Sequence, residues 1–196
     1  RPMRTDQPVT IRRVDYTPPA FFVDDVRLEF DLDPDDTRVR STLRLRRNPA
    51  AQPSRDRPSP LVLNGERLSL VDLRLDGRTL ERASYRLEPE TLVIADVPDR
   101  FELTTVSRIA PAANTTLSGL YVSNDSFFTQ CEAEGFRRIT WFPDRPDVMA
   151  RYTVTLRAPR ERCPVLLSNG NLVGSGDCEA DSPGGAGRRG WHWATW

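Results

Sequence analysis

Lysine is absent from this chain of 196 residues, and histidine occurs once, as His192. All 28 basic residues are therefore arginines, and 28 acidic residues balance them, so the formal net charge is zero. A chain without net positive charge lacks the field that attracts phosphate backbones, which argues against nucleic acid as a partner. A single imidazole also excludes a zinc site built on several histidines within this chain.

Cysteines and long apolar runs are scarce as well. Cys131, Cys163 and Cys178 are an odd number without a C-x-x-C pair, which argues against both a disulfide framework and a zinc knuckle. Their scattered positions favour structural thiols in a reducing compartment, so we expect a cytoplasmic protein. No apolar run approaches the roughly 20 residues that cross a bilayer, and the N-terminus lacks the apolar core of a signal peptide. We therefore expect no membrane partner.

Catalysis by groups within this chain has little support. Cys131 or a serine could pair with His192, but no local motif supports either pair. Residues 174–176 lack the pattern of a nucleophile elbow, and the nearby glycines lack the spacing and the βαβ context of a phosphate-binding loop. We expect no catalytic residue and no metal ligand here, and an autonomous hydrolase is the weakest of the functions that we consider.

Apolar and charged residues alternate in the first part of the chain. In residues 26–33, Val26, Leu28, Phe30 and Leu32 alternate with charged residues, which is the period of a strand with one face in water. Residues 34–36 predict a turn, and residues 38–46 alternate in the same way. The two strands should pair as a hairpin, with acids of the first strand opposite arginines of the second.

Short strand-like segments fill the rest of the chain. The pattern predicts a further hairpin, in which residues 165–167 and 171–173 flank an Asn169-Gly170 turn. No segment has a helical period over a dozen residues. We therefore predict an all-β fold, an antiparallel β-sandwich or saddle-like sheet with short hairpins and little helix. Its other strands are predicted in residues 61–64, 68–75, 85–87, 91–95, 101–109, 152–157 and 191–196.

The composition also predicts loops and a larger parent protein. Residues 48–60 are rich in proline, serine and charge, and residues 183–190 are rich in glycine, so both should be loops. The chain begins with Arg1, and three of its last six residues are tryptophans. Exposed tryptophan surface usually has something to cover it, so we expect the chain to continue in a larger protein.

The candidate site is the stretch of residues 129–147, where carboxylates, arginines and aromatic residues are concentrated. If this stretch is extended, Gln130, Glu132 and Glu134 lie two residues apart on one face and together suit a cation. An ammonium group about 4 Å from a carboxylate gains about 4 kcal/mol at an effective dielectric constant near 20, before desolvation. The same carboxylates could instead pair with Arg137 and Arg138 in a salt-bridged turn, and the sequence leaves both alternatives open.

Residues 129–152, from Thr-Gln-Cys-Glu-Ala-Glu-Gly-Phe-Arg-Arg to Asp-Arg-Pro-Asp-Val-Met-Ala-Arg-Tyr, resemble the N-terminal domain of the bacterial aminopeptidase N family of gluzincin zinc peptidases. The resemblance extends to residues 16–19, 112–115 and 164–171, and so covers essentially the whole chain. It implies a large β-domain and a division of labour. The zinc-binding H-E-x-x-H helix, the G-A-M-E-N motif and the catalytic tyrosine of this family lie in later domains, and these motifs do not occur in this sequence.

The resemblance also implies roles for particular residues. Gln130 and Glu132 match positions that bind the free α-amine of the substrate, whereas Glu134 is expected to pair with Arg137 or Arg138. Residues 141–143, Trp-Phe-Pro, depart from the family pattern at a variable position, and we do not expect this departure to alter the amine site.

The leading hypothesis is that residues 1–196 form a single N-terminal β-domain of a zinc aminopeptidase that removes N-terminal residues from peptides. The domain would recognise the substrate amine and contact its own catalytic domain. Zinc would bind in the full-length parent and not in this chain, which should be inactive alone. The alternative is a stand-alone β-sandwich module that binds a partner without catalysis.

Overall fold

The computed structural model describes residues 12–51, 58–178 and 189–196, and most of this part of the chain is arranged in strands or short connections. The strands are β1 (Phe21–Asp31), β2 (Thr37–Arg47), β3 (Leu61–Asn64), β4 (Ser69–Leu75), β5 (Arg78–Thr79), β6 (Tyr85–Leu87), β7 (Thr91–Ile94), β8 (Arg100–Ile109), β9 (Gly119–Ser123), β10 (Ser126–Gln130), β11 (Arg151–Pro159), β12 (Gly174–Asp177) and β13 (Trp191–Thr195).

Within the described ranges, these strands form three sheets. The largest has eight strands in the order β12-β13-β11-β1-β2-β8-β4-β5, the second has the order β3-β7-β6, and β9 and β10 form a hairpin. Helical structure in the same ranges is limited to short 3₁₀ turns, which confirms the predicted all-β class. These turns are Arg13–Asp15, Pro49–Ala51, Arg82–Ser84, Pro111–Ala113 and Phe136–Arg138.

Strands β1 and β2 form the predicted antiparallel hairpin, although β1 begins earlier than predicted, at Phe21. Glu29 lies opposite Arg40, and Asp31 lies opposite Arg38, as expected from the charge pattern. The two carboxylates nevertheless form ion pairs with Arg157 of β11, at 2.7 Å for Glu29 and 3.5 Å for Asp31. Alternation therefore identified the charged face, but it did not identify which neighbouring strand would supply the arginine.

One strand pairing departs from the antiparallel prediction. Strand β1 pairs with β11 in parallel, with Asp25 opposite Arg151 and Asp31 opposite Arg157. A parallel pair requires a long crossover, and here the intervening chain contains β2 to β10. The alternation of a single strand carries no information about the direction of a neighbour that is more than a hundred residues away. The large sheet is consequently mixed.

Buried apolar residues of the large sheet form one core cluster with β3, β7 and the segment 139–142. Leu63 of β3, Leu92 of β7 and Leu103 of β8 have no exposed surface, and Trp141 is 2% exposed. This packing matters for function because the segment 139–142 lies inside the candidate stretch 129–147 and begins seven residues after Glu132. The core therefore fixes the chain directly after the residues that could bind a cation.

The predicted hairpin around Asn169-Gly170 is wrong. The chain does bend at these two residues, and Gly170 has a positive φ of 92°, but residues 165–173 contain no strand. The Val173 N–H donates to the Thr195 carbonyl oxygen at 2.7 Å and leads into β12, which pairs with β13. Pairing with the C-terminal strand thus replaces pairing across the local turn. The predicted strand in residues 191–196 is confirmed as β13.

Parts of the two predicted loops, residues 52–57 and 183–188, lie outside the described residues. In the described ranges, the structure contains no helix that is both long and apolar enough to span a bilayer.

Candidate functional site

Strand β10 ends at Gln130, and the chain then folds back on itself. Residues 132–135 form turns, and the 3₁₀ turn Phe136–Arg138 follows directly. The extended arrangement that would place Gln130, Glu132 and Glu134 on one strand face is therefore not present. We call residues 131–138 the acidic turn.

The structure nevertheless brings Gln130 and Glu132 together. The Gln130 Nε2 atom donates a hydrogen bond of 2.6 Å to the Glu132 Oε2 atom, and both residues are exposed. The peptide bond between Glu132 and Ala133 is cis. An amide oxygen and a carboxylate are both hydrogen-bond acceptors, so this pair has the chemistry to receive an ammonium group.

Gly135 closes the acidic turn. Its N–H donates to the Cys131 carbonyl oxygen at 2.8 Å. A Cβ atom on Gly135 would lie 2.5 Å from the Gln130 carbonyl oxygen and 2.9 Å from the Cys131 Cα atom. The turn thus packs against the end of β10 more closely than a side chain at position 135 would permit.

Arg137 is held mainly by Asp144. The Asp144 Oδ2 atom accepts hydrogen bonds from the Arg137 backbone N–H at 3.1 Å and from Nε at 2.9 Å, and the Asp144 carbonyl oxygen accepts from Nη2 at 3.0 Å. Arg137 Nη2 also lies 3.3 Å from Glu134 Oε1. The expected pairing of Glu134 with one of the two arginines is therefore present.

Arg138 is held by Glu66, a residue that the sequence analysis did not single out. Its Nε and Nη2 atoms donate to the two carboxylate oxygens of Glu66 at 3.0 and 2.5 Å, and its Nη1 atom donates to Thr116 Oγ1 at 2.6 Å. The Glu66 backbone N–H also donates to the Arg137 carbonyl oxygen at 2.8 Å. No local signal could identify Glu66 as this partner, because it lies 72 residues before Arg138.

The segment after the acidic turn is anchored on the end of β3. Asn64 and Phe142 exchange backbone hydrogen bonds of 2.8 and 3.1 Å, and Asn64 Oδ1 accepts from the Asp144 N–H at 3.1 Å. Trp141 packs against Gly65, where a Cβ atom would lie 2.2 Å from two carbons of the indole ring. The residues that hold the two arginines are thus held by buried packing.

The last part of the stretch forms a separate clamp on the N-terminal segment. Arg145 makes two hydrogen bonds to the Asp147 carboxylate, at 2.9 and 2.7 Å, and one of 2.7 Å to the Thr17 carbonyl oxygen. Tyr16 donates to Asp147 Oδ2 at 3.0 Å. Donation by Arg145 lowers the pKa of Asp147, and the hydrogen bond to Asp147 raises the pKa of Tyr16. Asp147 accepts hydrogen bonds from both other side chains, so we interpret this clamp as a structural contact that holds the N-terminal segment.

An apolar cleft of about 470 Å³ lies between the large sheet, the β9–β10 hairpin and the acidic turn. Cys131 and Tyr152 line it together with Phe30, Leu120 and Phe136. Burial is the main cause that raises the pKa of Cys131 to about 11, with the negative charges of Asp144 and Glu132 adding to it. The Cys131 thiol therefore stays protonated at neutral pH, which disfavours it as a nucleophile.

His192 is buried in β13, where it connects this strand to the segment at Cys163. Its Nε2 atom lies 2.7 Å from the Cys163 carbonyl oxygen, so this nitrogen carries the proton and donates. The structure therefore offers no support for a nucleophile pair that contains His192. The residues that the structure describes contain no cluster of three or more His, Cys, Asp or Glu side chains suited to a metal ion.

A comparison with protein families finds a match over most of the chain. Residues 63–195 match the model of the peptidase M1 N-terminal domain. The chain belongs to this family. In this M1 N-terminal domain, the Gln130–Glu132 pair lies on the surface at the end of β10.

Individual relatives extend the match to nearly the whole chain. Aminopeptidase N of Caulobacter vibrioides is 47% identical over 99% of this chain and 21% of its own length. Aminopeptidase N of Escherichia coli is 42% identical over 98% of this chain and 20% of its own length. The chain therefore spans about a fifth of the length of these relatives.

Solved structures show the same fold. Legionella pneumophila aminopeptidase A, crystallised in complex with aspartic acid, matches with a TM-score of 0.80 and 33% identity, over 93% of this chain and 20% of that chain. An M1 zinc metallopeptidase from Deinococcus radiodurans matches with a TM-score of 0.69 and 14% identity, over 92% of this chain and 39% of that chain. At this lower identity the second match concerns the fold alone.

Proposed function

We propose that this chain is the substrate-recognition domain of a zinc aminopeptidase, in which Gln130 and Glu132 bind the free α-ammonium group of a peptide. Membership of the M1 N-terminal domain family and similarity to proteins named aminopeptidase N support the reaction class. The Legionella relative was solved with aspartic acid, which itself carries a free α-amine.

The observation that carries this proposal is that the Glu132 carboxylate makes no ion pair with the arginines of the acidic turn. Arg137 and Arg138 are engaged by other carboxylates, and no ion pair to Glu132 occurs among the described residues. An exposed carboxylate that is oriented by Gln130 but has no cationic partner is suited to a cationic ligand. At about 4 Å and an effective dielectric constant near 20, an ammonium group would gain about 4 kcal/mol before desolvation.

The remaining roles follow from this assignment. Residues 1–196 act as one N-terminal domain, which is consistent with the pairing of β1 near one end with β11 near the other. The catalytic zinc and the groups that activate water belong to a catalytic domain outside these residues, and this chain contributes a wall of the shared active site. A cytoplasmic location for the parent is supported by the odd number of cysteines without a C-x-x-C pair, which is typical of a reducing compartment.

Kinetics of the full-length enzyme would test the proposal, with alanine 4-nitroanilide as a probe that carries a free α-amine. Glu132→Gln keeps the size of the side chain and removes its charge. Half of the Coulombic gain above is about 2 kcal/mol, and a loss of that size corresponds to about 30-fold. We therefore expect kcat/KM to fall about 30-fold or more. Glu134→Gln is the matched control, since it neutralises a carboxylate of the same turn that already pairs with Arg137. Near-wild-type kinetics for Glu132→Gln would overturn the assignment.

A further inference from the structure

The acidic turn and the residues packed on it contain more carboxylates than arginines, and their pairing is selective. Two ion pairs are largely buried, Arg137–Asp144 with side chains 21% and 11% exposed, and Arg138–Glu66 with side chains 19% and 28% exposed. Glu134, which makes a longer contact with Arg137, is 64% exposed. Glu132 receives neither arginine, although it is only five and six residues away from them along the chain.

The geometry explains why the arginines do not turn toward Glu132. Asp144 accepts from the Arg137 Nε atom and from its backbone N–H, while the Asp144 carbonyl oxygen accepts from Nη2. Arg138 is bound by both oxygens of Glu66. Ion pairs that make several hydrogen bonds and are shielded from water hold their geometry better than exposed single contacts.

We propose that Asp144 and Glu66 are positioning residues that keep Arg137 and Arg138 away from Glu132, so that its carboxylate stays available to the substrate ammonium group. This inference rests on the proposed function. Each arginine is a built-in competitor for the amine site, because a guanidinium group and an ammonium group seek the same carboxylate. Asp144 and Glu66 remove this competition from positions that do not touch the substrate.

Asp144 and Glu66 are themselves held in place, which they must be in order to fix the two arginines. Asp144 is itself fixed through its backbone N–H, which donates to Asn64 Oδ1 at 3.1 Å. Glu66 follows Gly65, which packs on the buried Trp141 ring. Both carboxylates are thus attached to the rigid end of β3 and the core segment beside it, whereas Glu132 lies on the exposed turn.

Charge removal and charge compensation in the full-length enzyme would test the proposal. Asp144→Asn keeps the shape of the side chain but removes its charge, which releases the Arg137 guanidinium group toward Glu134 and Glu132. With alanine 4-nitroanilide as the probe, we expect KM to rise about tenfold with kcat changed by less than about threefold, as for a loss of uniform binding. Asp72→Asn, which breaks the 2.7 Å contact with Arg74 in β4, is the matched control and should leave KM unchanged.

The decisive variant is the double substitution Asp144→Asn with Arg137→Gln. It removes the competing cation and leaves two amides that can hydrogen-bond, so KM should return to within about threefold of the wild-type value, as expected when a coupled pair is removed together. If the Asp144 carboxylate serves only to hold the turn, the double variant will bind as weakly as the single one or more weakly. That result, or an unchanged KM in Asp144→Asn, would overturn the proposal.

A second pair keeps the test independent of the folding of any one variant. Glu66→Gln should raise KM in the same way, and Glu66→Gln with Arg138→Gln should restore it; failure of either expectation in folded protein counts against the proposal. Glu132→Gln separates this inference from the proposed function. If Glu132→Gln impairs the enzyme but the charge-compensated variants are not rescued, the amine site stands and the role of Asp144 and Glu66 falls.

Discussion

Replacing Gly65 with alanine should be among the most damaging single-methyl changes in this chain. Gly65 packs directly against Trp141, and a Cβ atom would lie 2.2 Å from two carbons of the indole ring and 2.7 Å from a third. Carbon atoms in contact normally lie about 3.5–4.0 Å apart, so the ring or the β3 backbone must move by more than about 1 Å. The backbone conformation of Gly65 is not itself the obstacle, because its φ is outside the positive range.

Neither partner has an easy way to move. Trp141 is 2% exposed, and the backbone on both sides of Gly65 is bound, by Phe142 at Asn64 and by Arg137 at Glu66. Overpacking a tight core costs about 1–3 kcal/mol, and this rigid site should lie near 3 kcal/mol. For a chain of this size, each kcal/mol lowers Tm by about 2–4 °C, so we expect a decrease of about 6–12 °C.

Thermal unfolding followed by near-ultraviolet circular dichroism would measure this effect through the tryptophan signal. Gly174→Ala is the matched control, because this glycine also faces a tryptophan, but its Cβ atom would lie 3.5 Å from the Trp193 ring, an ordinary contact. The control should unfold within about 1 kcal/mol of the wild type or be slightly more stable. A Gly65→Ala chain that unfolds at the wild-type temperature would refute the packing argument.

Two further predictions concern the acidic turn and the cleft beside it. Gly135→Ala should raise KM of the full-length enzyme for alanine 4-nitroanilide, because a Cβ atom 2.5 Å from the Gln130 carbonyl oxygen must displace the turn; an unchanged KM would show that the turn can yield without moving Glu132. Burial raises the pKa of Cys131 from 9.0 to about 11 and also raises the pKa of Tyr152. The folded chain then keeps protons that the unfolded chain releases, so the free energy of unfolding should fall as the pH rises from about 9 toward 11. Urea unfolding at about pH 8 and pH 10.5 checks this, and a fall that is just as large in Cys131→Ala would exclude the thiol as a contributor.

The strands show how far local patterns reach. Alternation in β1 and β2 was sufficient to predict the hairpin and its buried face, because one side of each strand must leave water. The same reasoning failed at residues 165–173, because the chain that follows the Asn-Gly bend pairs with the C-terminal strand β13 and not across the bend. It also could not predict the parallel pairing of β1 with β11, since a distant partner leaves no trace in the period of either strand.

The candidate site was likewise predicted from the sequence only in part. The residue types and spacing at Gln130 and Glu132, with their resemblance to a known family, were sufficient to nominate an amine-binding pair. The extended geometry assumed for Glu134 was not correct, because Gly135 allows the chain to fold back immediately after β10.

The sequence by itself therefore determined the β1–β2 hairpin, the family and the two residues proposed to meet the substrate. Only the tertiary structure decided which carboxylates neutralise Arg137 and Arg138, and hence that Glu132 is left without an arginine. The reason is physical: ion pairing depends on distance and burial in three dimensions. Glu66 approaches the acidic turn only because the end of β3 packs against the segment that contains Trp141 and Phe142.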